Sequence, residues 1–274
     1  MGSPTIVLLH GQPDSSASFW SLRRELRQRL PAGVQIWAPD RPGYGANPAP
    51  ATDFAGNVAW LRRWLSELRP GPTVLLGHSW AGGVAALAAA EFADRAGAES
   101  DSPAGGRIAP LAGLVLLASV GPACLLRIDP VLAAPVIGDL IAFGTLRLGR
   151  PWITRRVRAL VVDGQSPLDQ PHALASGMAM LSRPVWRSFL TEQRALIREL
   201  PDITGALDRI TAPTQVISGR QDQLMPGRTA RALQAAIPHA SGHEVDGGHD
   251  LQLSRPAEVA ELVAHFAAPL LAAG

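Results

Sequence analysis

The chain has no lysine at all: its 25 basic residues are all arginine. That absence removes any chemistry that needs a Schiff-base lysine or a phosphate-loop lysine. Cysteine is nearly absent as well, with Cys124 alone, so no internal disulfide can form and nothing points to an oxidising compartment. No apolar run reaches the roughly 18 residues a membrane-spanning helix requires. The apolar stretch at Ile6–Leu9 is too short for a signal-peptide core and has no basic residues ahead of it, so a cytoplasmic protein is expected. Charge is sparse too. Charged residues are 18% of the chain against 47% hydrophobic, and the formal net charge is +2, which excludes an intrinsically disordered chain. The densest basic group, Arg155, Arg156 and Arg158, is too short for a nucleic-acid stripe and reads as a solvated face. Glycine and proline are frequent, 27 and 24 residues, but aperiodic, which excludes collagen.

What remains is a 274-residue chain able to bury a core, and its pattern alternates strands with helices. By area scaling a domain of this size hides roughly 70–75% of its unfolded surface. Thr5–Leu9 reads as a buried parallel strand ending at His10-Gly11. Leu22, Leu26 and Leu30 mark one face of a helix that Pro31 and Gly33 stop. Val34–Ala38 is a second strand, followed by the turn-rich loop Asp40-Arg41-Pro42-Gly43-Tyr44-Gly45. Asp53–Leu68 is a second amphipathic helix, capped by Thr52 or Asp53. Strands follow at Thr73–Leu76, Leu111–Ala118, Thr214–Ser218 and Gly242–Val245, with helices at Gly83–Ala93, about Gly227–Ala236 and around Val259–Phe266. Residues 96–110 read as a polar surface loop. Between Gly121 and Gly205 the alternation fails and short helical stripes take over. The order βαβα predicts a mostly parallel sheet of about six strands with helices on both faces. The expected organisation is a core over residues 1–120 and 206–274, interrupted by a helical cap over 121–205.

Three segments fall just past strand ends, where an open parallel sheet exposes functional groups. In Gly77-His78-Ser79-Trp80-Ala81 a sharp strand-to-helix turn needs small flanks, and Gly77 and Ala81 supply them. Such a turn exposes the Ser79 hydroxyl at a helix N-terminus, where free N–H groups favour negative charge. The second segment, Ser218 to Pro226, offers Asp222 to orient an imidazole. In the third, Asp246-Gly247-Gly248-His249, a pair of glycines presents His249. The other readings stay open: Asp222 as a helix cap, and Asp14, Asp246 or Asp250 as rival acids. His78 is the variable position of the turn, Asp40 reads as structural, and Cys124 as a packing residue.

On these motifs the chain resembles the α/β-hydrolase superfamily along nearly its whole length. The resemblance rests on His10-Gly11-Gln12-Pro13, the Asp40–Gly45 loop, Gly-His-Ser-Trp-Ala-Gly, Gly219-Arg220-Gln221-Asp222 with Pro226 behind it, and Gly248-His249 followed by Arg255-Pro256-Ala257-Glu258. It starts at the His-Gly strand without the hairpin many members carry, and has Ala81 where many have glycine. The resemblance implies Ser79 as nucleophile, His249 as general base and acid, Asp222 as the orienting carboxylate, and the N–H groups of Gln12 and Trp80 as an oxyanion hole. Trp80, Phe143, Trp152, Met178 and Trp186 become expected substrate-lining residues, with Met180 beside them. It further implies an esterase-like enzyme acting on a carboxylester, lactone or thioester of a small hydrophobic molecule. No cofactor, metal, nucleic acid or membrane is expected to take part, and the protein is expected to be a monomer or homodimer. Relatives with an aspartate nucleophile differ at Ser79, and the plant-type hydroxynitrile lyases rely on a lysine this chain lacks. Two alternatives stand: a proline-type peptidase or other C–N or C–C bond hydrolase, with Asp163 and Asp169 as amine partners, and a non-catalytic hydrolase-like ligand receptor.

Overall fold

The computed structural model describes residues 2–97, 111–148 and 183–272. Six strands, β1 (Thr5–Leu9), β2 (Gln35–Trp37), β3 (Thr73–His78), β4 (Leu111–Leu117), β5 (Thr214–Gly219) and β6 (Ala240–Val245), make one sheet. All neighbours run parallel, in the order β2-β1-β3-β4-β5-β6. The central strands are apolar on both faces because both faces are covered. Ile6, Leu8, Val74, Leu76, Val115, Leu117 and Ile217 point into one core, while Val7, Leu9, Leu75, Leu114, Leu116 and Val216 point into the other. Side chains alternate faces along a strand, so this period of two fixes the register. The edge strands differ. β2 and most of β6 are solvent-facing, which is why their ends depart from the sequence expectation by one to two residues.

Helices α1 (Trp20–Arg29) and α9 (Pro256–Ala272) cover the first face with Leu22, Leu26, Val259, Val263 and Leu271. The second is covered by α2 (Phe54–Leu68), α3 (Trp80–Gly97) and α7 (Gly227–Ala236). Asp53 is the residue that caps α2, accepting the Gly56 N–H at 2.9 Å. Between β4 and β5 the chain inserts helices, α4 (Asp129–Ala133), α5 (Ile137–Leu148) and the long α6 (Arg183–Ala206), as the loss of alternation predicts. The C-terminal half of α6 joins the core through Ala195, Leu196, Ile203 and Ala206. A short α8 (Leu251–Ser254) follows β6. The loop 96–110 beyond Gly97, the side chain of Phe143, and Trp152, Arg155, Arg156, Arg158, Met178 and Met180 lie outside the described residues.

Candidate active site

The site grows from the β3–α3 turn. The alanine-rich α3 packs so closely on β3 that a Cβ at Gly77 would sit 2.5 Å from the Ala81 carbonyl oxygen and 2.8 Å from the Ala85 Cβ. Within this tight turn Ser79 takes φ 54°, a left-handed state that costs an L-residue about 1–2 kcal/mol. The turn is held from the end of β4 and the residues just past it: the Ser79 N–H donates to Leu117 O at 2.9 Å and the Val120 N–H donates to Ser79 O at 3.1 Å. We expect Ser79→Gly to be more stable than Ser79→Ala by about 1 kcal/mol, because glycine relieves the strain that alanine retains. Urea unfolding of the two variants checks this, and equal midpoints would show the turn to be unstrained.

The other two segments arrive together because β5 and β6 are neighbours, with Gly219 paired to Val245. Beyond the strand ends the two loops stay joined, since the Gln221 N–H donates to Gly247 O at 2.9 Å. Gly219 leaves no room for a side chain, as a Cβ there would lie 2.2 Å from the Gly248 oxygen. Asp222 then faces His249. His249 Nδ1 donates to Asp222 Oδ2 at 2.9 Å, and the Ser79 hydroxyl donates to His249 Nε2 at 2.8 Å. The second Asp222 oxygen accepts the N–H groups of Leu224 at 2.8 Å and Met225 at 2.9 Å, which locks the carboxylate. Of the acids weighed from the sequence, Asp222 is the one on His249 Nδ1.

Burial lowers the basicity of His249, but the Asp222 hydrogen bond and the charges of Asp222 and Asp250 outweigh it and raise its pKa above 6.5. Its neighbour His78 goes the other way. Desolvation and then the nearby His249 push His78 down to about 4, so it stays neutral. His78 Nε2 donates to the His249 carbonyl at 3.3 Å, the rings stand 5.0 Å apart, and Gln252 reaches His78 Nδ1 at 3.5 Å. The residue between Gly77 and Ser79 therefore supports the histidine loop, a contact across 171 positions that no local pattern announces.

Among the described residues, His78, His249 and Asp250 could present metal-ligand atoms within 4.8 Å of one another. His249 already commits both ring nitrogens to Ser79 and Asp222, so an ion there would be held at the expense of those bonds. Cys124 is buried, and burial raises its thiol pKa, as suits a packing residue.

The remaining expected residues fall as follows. Gln12 follows Gly11, which is pressed on the turn: a Cβ at Gly11 would lie 2.9 Å from the Ser79 Cβ. The Gln12 side chain donates to Gln193 Oε1 at 3.0 Å. Trp80 is fully buried. Its ring stacks on Phe54 at 3.9 Å and its indole N–H donates to Glu192 O at 3.1 Å. That corrects its expected place in a substrate wall, because the indole is taken up by protein contacts and the main-chain N–H at the start of α3 is what remains. Trp186 is half-buried on α6, edge-on to Phe189 at 5.2 Å. The sequence reading missed a buried ion pair beside the site. Arg41 in the β2–α2 loop meets Glu192 of α6 with both side chains at 0% exposure. Burial raises the Glu192 carboxyl, against the pull of Arg41 and Tyr44.

A six-stranded parallel sheet sandwiched by helices, with a strained serine turn after the third strand and aspartate and histidine loops after the fifth and sixth, defines the class of the α/β hydrolases. The chain belongs to the Alpha/beta hydrolase family, which it matches over residues 6–262. It is 28% identical to the pimeloyl-[acyl-carrier protein] methyl ester esterase of Aromatoleum aromaticum over 96% of this chain and 98% of that one. To a haloalkane dehalogenase of Mycobacterium marinum it is 29% identical over 95% and 83%. A solved thermophilic esterase from Thermogutta terrifontis superposes with a TM-score of 0.68 at 20% identity, covering 98% and 91%. No helix among the described residues is long and apolar enough to cross a membrane.

Proposed function

We propose that this α/β hydrolase cleaves the carboxylester, lactone or thioester bond of a small hydrophobic molecule through an acyl-enzyme on Ser79. The observation that carries the reading is the unbroken hydrogen-bonded chain from Ser79 Oγ through His249 to Asp222, at 2.8 and 2.9 Å. His249 Nε2 takes the hydroxyl proton as Oγ attacks the carbonyl, and Asp222 steadies the imidazolium. The N–H groups of Gln12 and Trp80 hold the oxyanion. On collapse the C–O or C–S bond breaks and His249 returns the proton to the leaving group. Water, deprotonated by the same His249, then attacks the acyl carbon, releases the acid and regenerates the Ser79 hydroxyl. No step calls for a cofactor. In this reading α4, α5 and the N-terminal half of α6, which carries Trp186, belong to a cap that roofs the site. The esterase relative supports ester chemistry, and Ser79 stands where a dehalogenase would need an aspartate.

A fluorophosphonate probe tests the reading, since it phosphonylates an activated serine and leaves an ordinary hydroxyl alone. One adduct on the peptide holding Ser79, together with turnover of p-nitrophenyl esters, is the expected result; absence of both would favour the non-catalytic receptor. A series of esters, lactones, thioesters and amides of graded chain length then fixes the bond type.

Acidity adds a second check. Catalysis needs His249 neutral, and its pKa is raised, so kcat/KM must climb with pH along a limb centred above 6.5. A pH–rate profile centred at or below that value would separate the limb from His249.

A further inference from the structure

We propose that Arg41 and Glu192 are positioning residues that aim both oxyanion donors, tying α6 of the inserted segment to the chemistry at Ser79. The inference deepens the reading of Ser79 as nucleophile and stands on it.

The first donor belongs to the peptide between Gly11 and Gln12. Arg41 Nη2 donates to the Gly11 carbonyl at 3.0 Å, and its Nε donates to the preceding His10 carbonyl at 2.7 Å. In a trans peptide the C=O and N–H point opposite ways. Holding the Gly11 oxygen on the arginine side therefore turns the Gln12 N–H away from Arg41. Gly11 itself lies against Ser79, so the freed N–H is on a segment that borders the reacting hydroxyl. His10 completes the clamp: its Nδ1 donates to Gly11 O at 2.9 Å and its Nε2 accepts the Arg41 N–H at 3.0 Å. Burial, and then the neighbouring Arg41, keep that imidazole neutral, as this pattern of one donor and one acceptor requires.

The second donor is the Trp80 N–H. Here the same pair holds the side chain of the residue: the Arg41 guanidinium lies 4.8 Å over the Trp80 ring, and the indole N–H is bound by the Glu192 carbonyl. Glu192 in turn holds the guanidinium through both carboxylate oxygens and takes the Tyr44 hydroxyl at 2.8 Å. Its neighbour Gln193 accepts from the Gln12 side chain and donates to Asp129 Oδ1 at 2.9 Å, so of two successive residues of α6 one holds the Gln12 side chain directly and the other reaches the Gly11–Gln12 peptide through Arg41. A buried ion pair is a weak source of stability compared with apolar packing. What the planar, five-donor fork of arginine supplies is direction, which a lysine in its place would not.

The test measures kcat, KM, the pH limb and inhibition by a trifluoromethyl ketone, whose adduct with the serine places an alkoxide in the oxyanion hole. In Glu192→Gln, kcat should fall about 10- to 100-fold, short of the loss from deleting a donor outright. KM should hold within about threefold, because the loss is specific to the transition state. Inhibitor affinity should fall by the same factor as kcat/KM, and the His249 limb should not move. A purely structural pair would lower the folded fraction instead and leave the inhibitor constant of the folded molecules alone. The double variant Arg41→Met/Glu192→Met removes both charges while filling the space, a change that buried pairs often tolerate, and it carries the same expectation. Full kcat in either folded variant overturns the proposal, as does collapse of both variants to unfolded chain, which assigns the pair to folding alone. A wild-type protein that takes no fluorophosphonate label sinks the Ser79 reading instead.

Discussion

Ser79→Ala should lower kcat for a p-nitrophenyl ester by about 10⁴- to 10⁶-fold while KM and the fold stay as they are. The fold survives because alanine has the size of the serine it replaces and the turn is held through main-chain bonds to the end of β4 and the residues just past it that need no hydroxyl. The rate falls because His249 then has no nucleophile within reach and water must be recruited into an unprepared geometry. A further signature follows from the chain of bonds. Ser79, His249 and Asp222 act as one unit, so Ser79→Ala/His249→Ala should be scarcely slower than Ser79→Ala alone. Independent contributions would multiply. Turnover by Ser79→Ala within about tenfold of the parent would remove Ser79 from the chemistry, since the oxyanion donors and binding alone leave only about 10³- to 10⁴-fold over water, far below the parent rate.

The parts of this site that sequence could reveal are those built by local chain geometry. Gly77 stands two residues before Ser79 because the β3–α3 turn has no space for a Cβ there, and with the small Ala81 two residues after it the pattern is written within five consecutive residues. The same holds for Gly219 before Asp222, and for the doubly buried strands, whose apolar runs leave few other assignments. What sequence did not reveal depends on contacts between distant segments. Arg41 sits in a loop marked by its glycines and Asp40, and Glu192 is one of several charged residues along α6. They are separated by 151 positions, and only the packing of α6 onto the core makes a charge pair of them. Trp80 shows the converse error. A tryptophan beside a nucleophile suggests a substrate wall, but Phe54, Arg41 and Glu192 claim the indole, and none of these is near it in sequence.

Asp222→Asn should cost about 10⁴-fold in kcat, although it alters a single atom and leaves the packing intact. The size of the effect comes from the two N–H groups of Leu224 and Met225, which point at Asp222 Oδ1. They oblige the asparagine to turn its carbonyl oxygen towards them, and its amide NH₂ must then face His249. An NH₂ can only donate, so His249 Nδ1 becomes an acceptor and its proton moves to Nε2. Nε2 is the atom that must accept the Ser79 proton, 2.8 Å away. The imidazole is thus held in the tautomer that cannot act as base. The pH limb should shift downward as well, because the hydrogen bond and charge that raise the His249 pKa are lost. Asp246→Asn, an exposed acid on the same loop, should leave both rate and limb unchanged and serves as the control. If Asp222→Asn turns over within about tenfold of the parent, the orienting acid is another carboxylate. A full rate loss with an unmoved limb would instead mean that Asp222 positions the loop without setting the tautomer.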